Sequence, residues 1–167
     1  MEALTDFSKL CDRLRRLEPP TLVAVEGFAG AGKSYLAAAL GKNLPAAVIH
    51  TDEYVEGKDE SLPYSQRLNY DRVAVALRSA QLGASVVIVD GICLRESLRR
   101  LDVSASFFVY LKLIAPNGLW HDGLHLEDFD AEGEDHDRRE PHFSDFRYHL
   151  TERPHEQANV EFHRIDA

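Results

Sequence analysis

The sequence has few cysteines and no long apolar run. Cys11 and Cys93 are the only two thiols among 167 residues, which excludes a disulfide framework, and we interpret both as buried or inert. No stretch approaches the roughly 20 apolar residues that span a bilayer. The N-terminus, with Glu2 and Asp6, also lacks the basic-then-apolar layout of a signal peptide. We therefore expect a soluble, cytoplasmic protein with no membrane partner.

Basic residues are in deficit as well. The chain carries 19 Lys and Arg against 28 Asp and Glu, a formal net charge of −9. A nucleic acid held through its phosphates requires a clustered basic face, so we expect a small-molecule partner and no nucleic acid. The length and an apolar content of 44% indicate one domain over residues 1–167. They leave the oligomeric state open.

One motif stands out, the stretch Gly-Phe-Ala-Gly-Ala-Gly-Lys-Ser from Gly27 to Ser34. It matches the G-x-x-x-x-G-K-S pattern of a phosphate-binding loop, and it follows an apolar run and opens an Ala-rich helix, as that motif requires. Its glycines let backbone N–H groups approach an anion closely, and the helix N-terminus favours phosphate. Lys33 supplies a charge for the β- and γ-phosphates, and Ser34 a hydroxyl for Mg²⁺. We expect ATP and Mg²⁺ as cofactors, although ATP and GTP are not distinguished, with nucleotide contacts from Gly27, Phe28, Ala29, Gly30, Ala31, Gly32, Lys33, Ser34 and Tyr35.

Strand and helix patterns alternate along the chain. Strands are predicted over 21–26, 46–50, 85–90, 105–111 and 159–164, and helices over 1–18, 33–44, 67–82, 93–101 and 141–153. Such alternation predicts an α/β fold whose parallel sheet is covered on both faces, with ligands at the carboxyl ends of the strands. The region 112–140 has no periodicity, and its stretch 122–137 is acidic without Lys or Arg. A segment this long favours a lid, or a solvated loop.

Two carboxylates follow predicted strands. Asp90 ends the run Val86 to Val89, where a phosphate-loop enzyme places the residue that orients Mg²⁺; the alternative is a cap for the next helix. Asp52 follows the second strand and is our candidate for the base that takes a proton from a hydroxyl acceptor. The alternative for Asp52 is an ordinary turn carboxylate.

Together these residues resemble the uridine kinase and phosphoribulokinase group. The resemblance rests on the phosphate loop, on Thr51-Asp52-Glu53-Tyr54, on Asp90-Gly91-Ile92 and on the stretch 154–159. It implies a P-loop kinase, a three-layer αβα sandwich with a five-stranded parallel sheet of order 2-3-1-4-5, counted along the chain. It also implies Lys33 and Asp52 as catalytic residues, Ser34 and Asp90 as metal ligands, and substrate contacts from Asp52, Glu53, Tyr54 and Asp71.

The sequence departs from that group in two places. Residues 82–85 connect the helix and the metal-site strand directly, where uridine kinases carry a base-binding hairpin, so nucleoside specificity does not transfer. The usual arginine-bearing lid helix is replaced by the acidic segment. Arg138 and Arg139 are the nearest candidates to stabilise the transferring phosphoryl group, or they only offset neighbouring acids such as Asp137 and Glu140.

The sequence predicts an ATP-dependent kinase of a small hydroxyl-bearing metabolite. One alternative is a phosphotransferase that inactivates a cationic antibiotic or similar compound, which an acidic lid would suit. Another is a nucleotide-dependent regulatory module without transfer activity; no Asn/Thr-Lys-x-Asp guanine-reading motif is present. The spacing of His121 and His125 would suit a metal, but the surrounding sequence does not predict a zinc helix.

Overall fold

The structure is a computed structural model that describes residues 2–57, 61–132 and 139–165. Its centre is one sheet of six parallel strands in the order β1-β6-β5-β2-β4-β3. The strands are β1 (Glu2–Leu4), β2 (Thr21–Glu26), β3 (Ala47–His50), β4 (Val86–Asp90), β5 (Phe107–Ile114) and β6 (Val160–Ile165). All five predicted strands are present, and their order 2-3-1-4-5 is that of β2 to β6 in the sheet.

The prediction of five strands is wrong by one, because the first residues form a strand and not a helix. Glu2, Ala3 and Leu4 pair in parallel with Val160, Glu161 and Phe162 at the edge of the sheet. A strand of three residues has no periodicity of its own, and its partner lies at the other end of the chain. Pattern reading along the sequence could not detect it.

Eight helices are seen in the described residues. They are α1 (Phe7–Arg15), α2 (Lys33–Asn43), α3 (Tyr64–Arg67), α4 (Tyr70–Gly83), α5 (Leu94–Arg100), α6 (Gly123–Glu132), α7 (His142–Glu152) and α8 (Pro154–Gln157). The predicted helix 67–82 begins later, since the Asn69 side chain accepts a hydrogen bond from the Arg72 amide and caps α4. Helix α6 lies in the region for which no periodicity was found.

The sheet has a separate core on each face. Val23 and Val25 of β2 point to the face that packs against α1 and α2, and their neighbours Leu22 and Ala24 point to the face of α4 and α5. The alternation of side chains along a strand produces this division. The three-layer α/β/α architecture is therefore as predicted.

A third, smaller cluster joins the loop after β2 to the helices that precede β6. Phe28 packs there with Leu126, Phe129 and Phe146, and Trp120 contacts the same group. Cys11 and Cys93 are both free and buried, as interpreted from the sequence. Among the described residues, no helix combines the length and the apolar character that crossing a membrane demands.

Candidate active site

The loop between β2 and α2 has the backbone of an anion-binding turn. Gly27, Gly30 and Gly32 have φ values of 149°, 84° and 98°, which side chains rarely tolerate. A Cβ on Gly27 would lie 2.6 Å from the Leu111 carbonyl oxygen, so the close passage of the loop over β5 also requires glycine. Helix α2 starts at Lys33, directly after this turn, and its first amides face the loop.

Lys33 folds back over the loop. Its side chain is buried, and Nζ donates a hydrogen bond to the Phe28 carbonyl oxygen at 2.9 Å. Tyr35, predicted as a nucleotide contact, is 80% exposed on α2. The Lys33 ammonium group thus contacts a carbonyl oxygen of the loop, whereas the Tyr35 ring faces solvent.

Ser34, Asp90 and His50 form a hydrogen-bonded chain across the ends of three elements. The Ser34 hydroxyl donates to Asp90 Oδ2 at 2.7 Å, and Asp90 Oδ1 lies 2.5 Å from His50 Nδ1. Asp90 is 1% exposed; burial raises the pKa of its carboxyl, and the Ser34 hydrogen bond and the His50 ring oppose that rise. Ser34 and Asp90 were both predicted as metal ligands, but neither their hydrogen bond to each other nor the contact with His50 was predicted.

This chain offers oxygen ligands for Mg²⁺ without enclosing a complete site. In the described parts of the chain, no group of three or more His, Cys, Asp or Glu side chains could hold a metal ion by itself. Mg²⁺ commonly takes one or two protein oxygens and completes its shell with water and substrate phosphates. The Ser34 and Asp90 oxygens fit that mode of binding. His121 and His125, whose ring centroids are 5.9 Å apart, belong to no such group.

Asp52 lies on the 3-10 turn Thr51–Tyr54 that follows β3. Its Oδ1 accepts a hydrogen bond from the Tyr64 hydroxyl at 2.7 Å, and that hydroxyl is also 3.0 Å from Thr51 Oγ1. Tyr64 is 2% exposed, and burial, with the Asp52 charge second, raises the pKa of its hydroxyl. The phenol therefore remains a hydrogen-bond donor that orients an exposed carboxylate.

The other predicted substrate residues are spread around Asp52. Glu53 is exposed on the same turn. Tyr54 is half-buried, with the Arg72 guanidinium 5.5 Å from the centre of its ring. Asp71 is exposed in the first turn of α4.

A cavity of about 290 Å³ opens beside Tyr64. Its lining includes the neighbouring residues Pro63 and Ser65, Glu96 of α5, Glu140, and residues of α7 such as Arg147.

Helix α7 places a carboxylate on the phosphate loop. The Ala29 amide donates a hydrogen bond to Asp145 Oδ2 at 2.6 Å, although the two residues are 116 positions apart. Asp145 is 1% exposed, and its Oδ1 lies 3.3 Å from His149 Nδ1 on the same helix. One turn later, the His149 ring stacks on Phe28 with centroids 3.6 Å apart. Neither contact could be predicted from the local sequence. The sequence pattern predicted a helix at this place but not that it covers the phosphate loop.

A buried carboxylate anchors α7 to the strand that leads into the loop. Glu26, the last residue of β2, accepts hydrogen bonds from the Tyr148 hydroxyl at 2.5 Å and from Arg95 Nε at 2.9 Å. Burial raises the pKa of Glu26, and the Arg95 charge opposes this rise. Because Tyr148 lies between Asp145 and His149 on α7, this anchor fixes how the helix meets the loop.

Among the described residues, an arginine that was not predicted contacts the loop. Arg138 lies outside the described residues, and Arg139 is exposed just before α7. Arg164, near the end of β6, donates from Nη1 to the Ala31 carbonyl oxygen at 3.0 Å. A Cβ on Gly32 would collide with the same guanidinium nitrogen. The register of β6 in the sheet places Arg164 next to the loop. Sequence spacing alone could not have predicted this contact.

His155 gives the fold a defined dependence on pH. Burial, followed by the nearby His149, lowers the pKa of His155 from 6.5 to about 4. Between these values the unfolded chain binds the proton more readily, so the free energy of unfolding should fall as the pH drops from 6.5 towards 4. We expect part of this fall to disappear in His155→Phe, measured by urea unfolding at several pH values. If the free energy of unfolding falls equally with pH in the wild type and in His155→Phe, the assignment of this pH dependence to His155 is contradicted.

Comparison with known proteins gives the class of the fold. Neither a protein-family model nor a curated sequence matches the chain. A solved structure of a proposed uridine kinase from Bacillus stearothermophilus matches with a TM-score of 0.60 at 18% identity, over 93% of this chain and 96% of that one. A proposed fructose transport system kinase from Silicibacter sp. TM1040 matches with a TM-score of 0.53 at 17% identity, over 95% and 100%. Shikimate kinase from Acinetobacter baumannii, in complex with shikimate, matches with a TM-score of 0.50 at 15% identity, over 94% and 89%.

The fold is that of the P-loop kinases. Within this class the chain resembles the uridine kinase group, as the sequence predicted, with a sixth strand in the sheet. At 15% to 18% identity, this likeness concerns the fold and does not extend to the substrate.

Proposed function

We propose that the protein is an ATP-dependent kinase that transfers the γ-phosphate to a hydroxyl group of a small molecule. The observation that carries the proposal is the arrangement of two functional groups at one edge of the sheet. The bonded pair Ser34 and Asp90 adjoins the phosphate loop, and Asp52, oriented by Tyr64, follows the neighbouring strand β3. A kinase needs a donor site and an acceptor site side by side.

On the donor side, the loop amides and Lys33 would bind the phosphates of ATP. Ser34 and Asp90 would hold Mg²⁺ directly or through water, which supplies charge stabilisation for the transferring phosphoryl group. His50 keeps Asp90 in place through the short contact between Nδ1 and Oδ1. Asp90 is thereby oriented from two sides before any ligand arrives.

On the acceptor side, Asp52 would accept the proton of the attacking hydroxyl. The hydroxyl oxygen bonds to the γ-phosphorus, the bond between that phosphorus and the β-phosphate oxygen breaks, and ADP leaves. Tyr64 supports this role because its hydrogen bond to Oδ1 orients the Asp52 carboxylate. Two of the matched structures are named as a proposed uridine kinase and a shikimate kinase, and both uridine and shikimate bear hydroxyl groups.

Arg164 adds a positive charge to the donor side. The Arg164→Ala variant should bind ATP about tenfold more weakly, because a guanidinium at the loop favours a bound anion. Arg153→Ala is the matched control, since Arg153 is exposed and pairs with Glu156. Isothermal titration calorimetry measures both. Equal ATP affinity in the two variants would show that Arg164 does not contribute to the donor site.

The proposal is tested by measuring ADP release from Mg-ATP in the presence of nucleosides, sugars, vitamins and aminoglycosides. Acceptor-dependent ADP formation, together with a phosphorylated product, is the expected result, and Lys33→Ala should abolish it. ATP binding without acceptor-dependent turnover across the panel would favour a regulatory module. Turnover confined to cationic compounds would favour the antibiotic-inactivating alternative.

A further inference from the structure

Two residues that directly follow β3 and β4, Thr51 and Gly91, are packed against each other. In the sheet register, His50 at the end of β3 lies opposite Asp90 at the end of β4, and the next residue of each strand continues this pairing. A Cβ on Gly91 would lie 1.7 Å from Thr51 Oγ1 and 3.0 Å from Thr51 Cβ. The Thr51 side chain therefore fills the space that a side chain at position 91 would need.

The Thr51 hydroxyl begins a chain of hydrogen bonds that ends on the candidate base. Thr51 Oγ1 is 3.0 Å from the Tyr64 hydroxyl oxygen, which is in turn 2.7 Å from Asp52 Oδ1. Thr51 is 1% exposed and Tyr64 is 2% exposed, whereas Asp52 is exposed. Two buried hydroxyl groups thus support one carboxylate that a substrate can reach.

The direction of both hydrogen bonds can be assigned. An ionised carboxylate only accepts, so the Tyr64 hydroxyl uses its single proton for Asp52. Burial raises the pKa of this hydroxyl, and the phenol keeps that proton at neutral pH. The Tyr64 oxygen then accepts from the Thr51 hydroxyl. Both groups donate towards the negative charge, an arrangement in which successive hydrogen bonds strengthen each other.

The orientation of Asp52 depends on this chain. An exposed Asp side chain on a turn can occupy several rotamers, and the hydrogen bond from Tyr64 favours one of them. Tyr64 itself opens α3, a helix of only four residues, so the helix backbone alone gives its hydroxyl little support. The Thr51 hydroxyl, buried against Gly91, provides a fixed donor for it.

We propose that Thr51 is a positioning residue for phosphoryl transfer, which fixes Tyr64 and through it the carboxylate of Asp52. The inference rests on the proposed function, because it concerns the base of that reaction. It extends that function to a residue that follows Asp52 in neither charge nor exposure and acts only through Tyr64. It also gives Gly91, next to the metal-site carboxylate, a steric role that does not involve a metal ion.

Steady-state kinetics with an acceptor from the panel tests the proposal through two substitutions at one position. Thr51→Val exchanges the hydroxyl for a methyl group of similar size and should lower kcat about tenfold, a part of the roughly 10² to 10⁴ that a positioned base contributes. The Kd for ATP and the KM for the acceptor should stay close to the wild-type values. Thr51→Ser keeps the hydroxyl and should restore most of kcat. A wild-type kcat in Thr51→Val, or an equal loss in Thr51→Ser, would overturn the proposal.

A control and a double variant distinguish the hydrogen-bond chain from a general structural role. Thr151→Val makes the same chemical change on the exposed side of α7, where the hydroxyl bonds to carbonyl oxygens of its own helix, and should leave kcat unchanged. Tyr64→Phe breaks the chain at its centre and should itself lower kcat. Adding Thr51→Val to Tyr64→Phe should then cause little further loss, since coupled residues are not additive. Losses that multiply in the double variant would refute the chain.

NMR provides a readout that needs no turnover. The ζ-carbon signal of Tyr64, assigned in ¹³C-tyrosine-labelled protein by its disappearance in Tyr64→Phe, responds to hydrogen bonding at the hydroxyl. We expect it to shift in Thr51→Val and to keep its position in Thr151→Val. An unshifted signal in Thr51→Val would overturn the proposal even where no acceptor is found. A shifted signal in a protein without acceptor-dependent turnover would support the contact between Thr51 and Tyr64 and contradict the kinase function.

Discussion

Asp52→Asn is expected to lower kcat for acceptor-dependent ADP formation by about 10³ while the Kd for ATP changes less than twofold. A positioned general base contributes roughly 10² to 10⁴ to a rate, and asparagine cannot take the proton. Its amide oxygen can still accept the Tyr64 hydrogen bond that Asp52 accepts at 2.7 Å, so the local structure should be preserved. Steady-state kinetics with the acceptor identified from the panel and calorimetric ATP titration provide the two measurements.

Glu53→Gln is the matched control for this variant. Glu53 is exposed on the same 3-10 turn and next in sequence, so its replacement removes the same charge from nearly the same place. We expect kcat to fall less than threefold. A wild-type kcat in Asp52→Asn would contradict the assignment of the base. A loss of ATP binding in Asp52→Asn would instead place the carboxylate in the donor site.

The features that were predicted correctly depend on residues close together in sequence. The loop motif, the apolar strand before it and the helix after it lie within 21–43, and the order of β2 to β6 came from the resemblance to uridine kinases. Ser34 and Asp90 are 56 residues apart, yet Asp90 ends β4, and Ser34 lies in the first turn of α2 after the loop that leaves the neighbouring strand β2. Topology alone brought these two side chains together.

The features that were missed depend on which side chains meet across the fold. Arg164 contacts the loop 133 residues away, and Asp145 contacts it across 116. Each lies in an element whose type was predicted correctly, but the choice of contacting residue depends on register and helix rotation. His50 ends β3 in an ordinary apolar pattern, and only the pairing of β3 with β4 shows that it faces Asp90. Local periodicity contains no information on such contacts.

Asp145→Asn is expected to lower the Kd for ATP by about 10- to 100-fold. The Asp145 carboxylate accepts a hydrogen bond from the Ala29 amide of the phosphate loop. A bound phosphate would bring further negative charge to the same turn. Two unit charges 4 Å apart repel by about 4 kcal/mol at an effective dielectric constant of 20, and movement of α7 should relieve part of this repulsion. Asparagine retains the size and one acceptor oxygen but removes the charge.

Glu152→Gln is the control, because Glu152 is on the same helix but pairs with Arg99 on the outer surface. Calorimetric titration of ATP into the wild type, Asp145→Asn and Glu152→Gln should give a lowered Kd for Asp145→Asn alone. Thermal unfolding without ligand separates this effect from a change in stability. Unchanged ATP binding in a folded Asp145→Asn protein would contradict the expected repulsion, and weaker binding would show that the carboxylate shapes the loop for phosphate. Stronger binding would show that the Asp145 charge on α7 opposes the nucleotide, so that this residue raises the ATP concentration at which the protein becomes loaded.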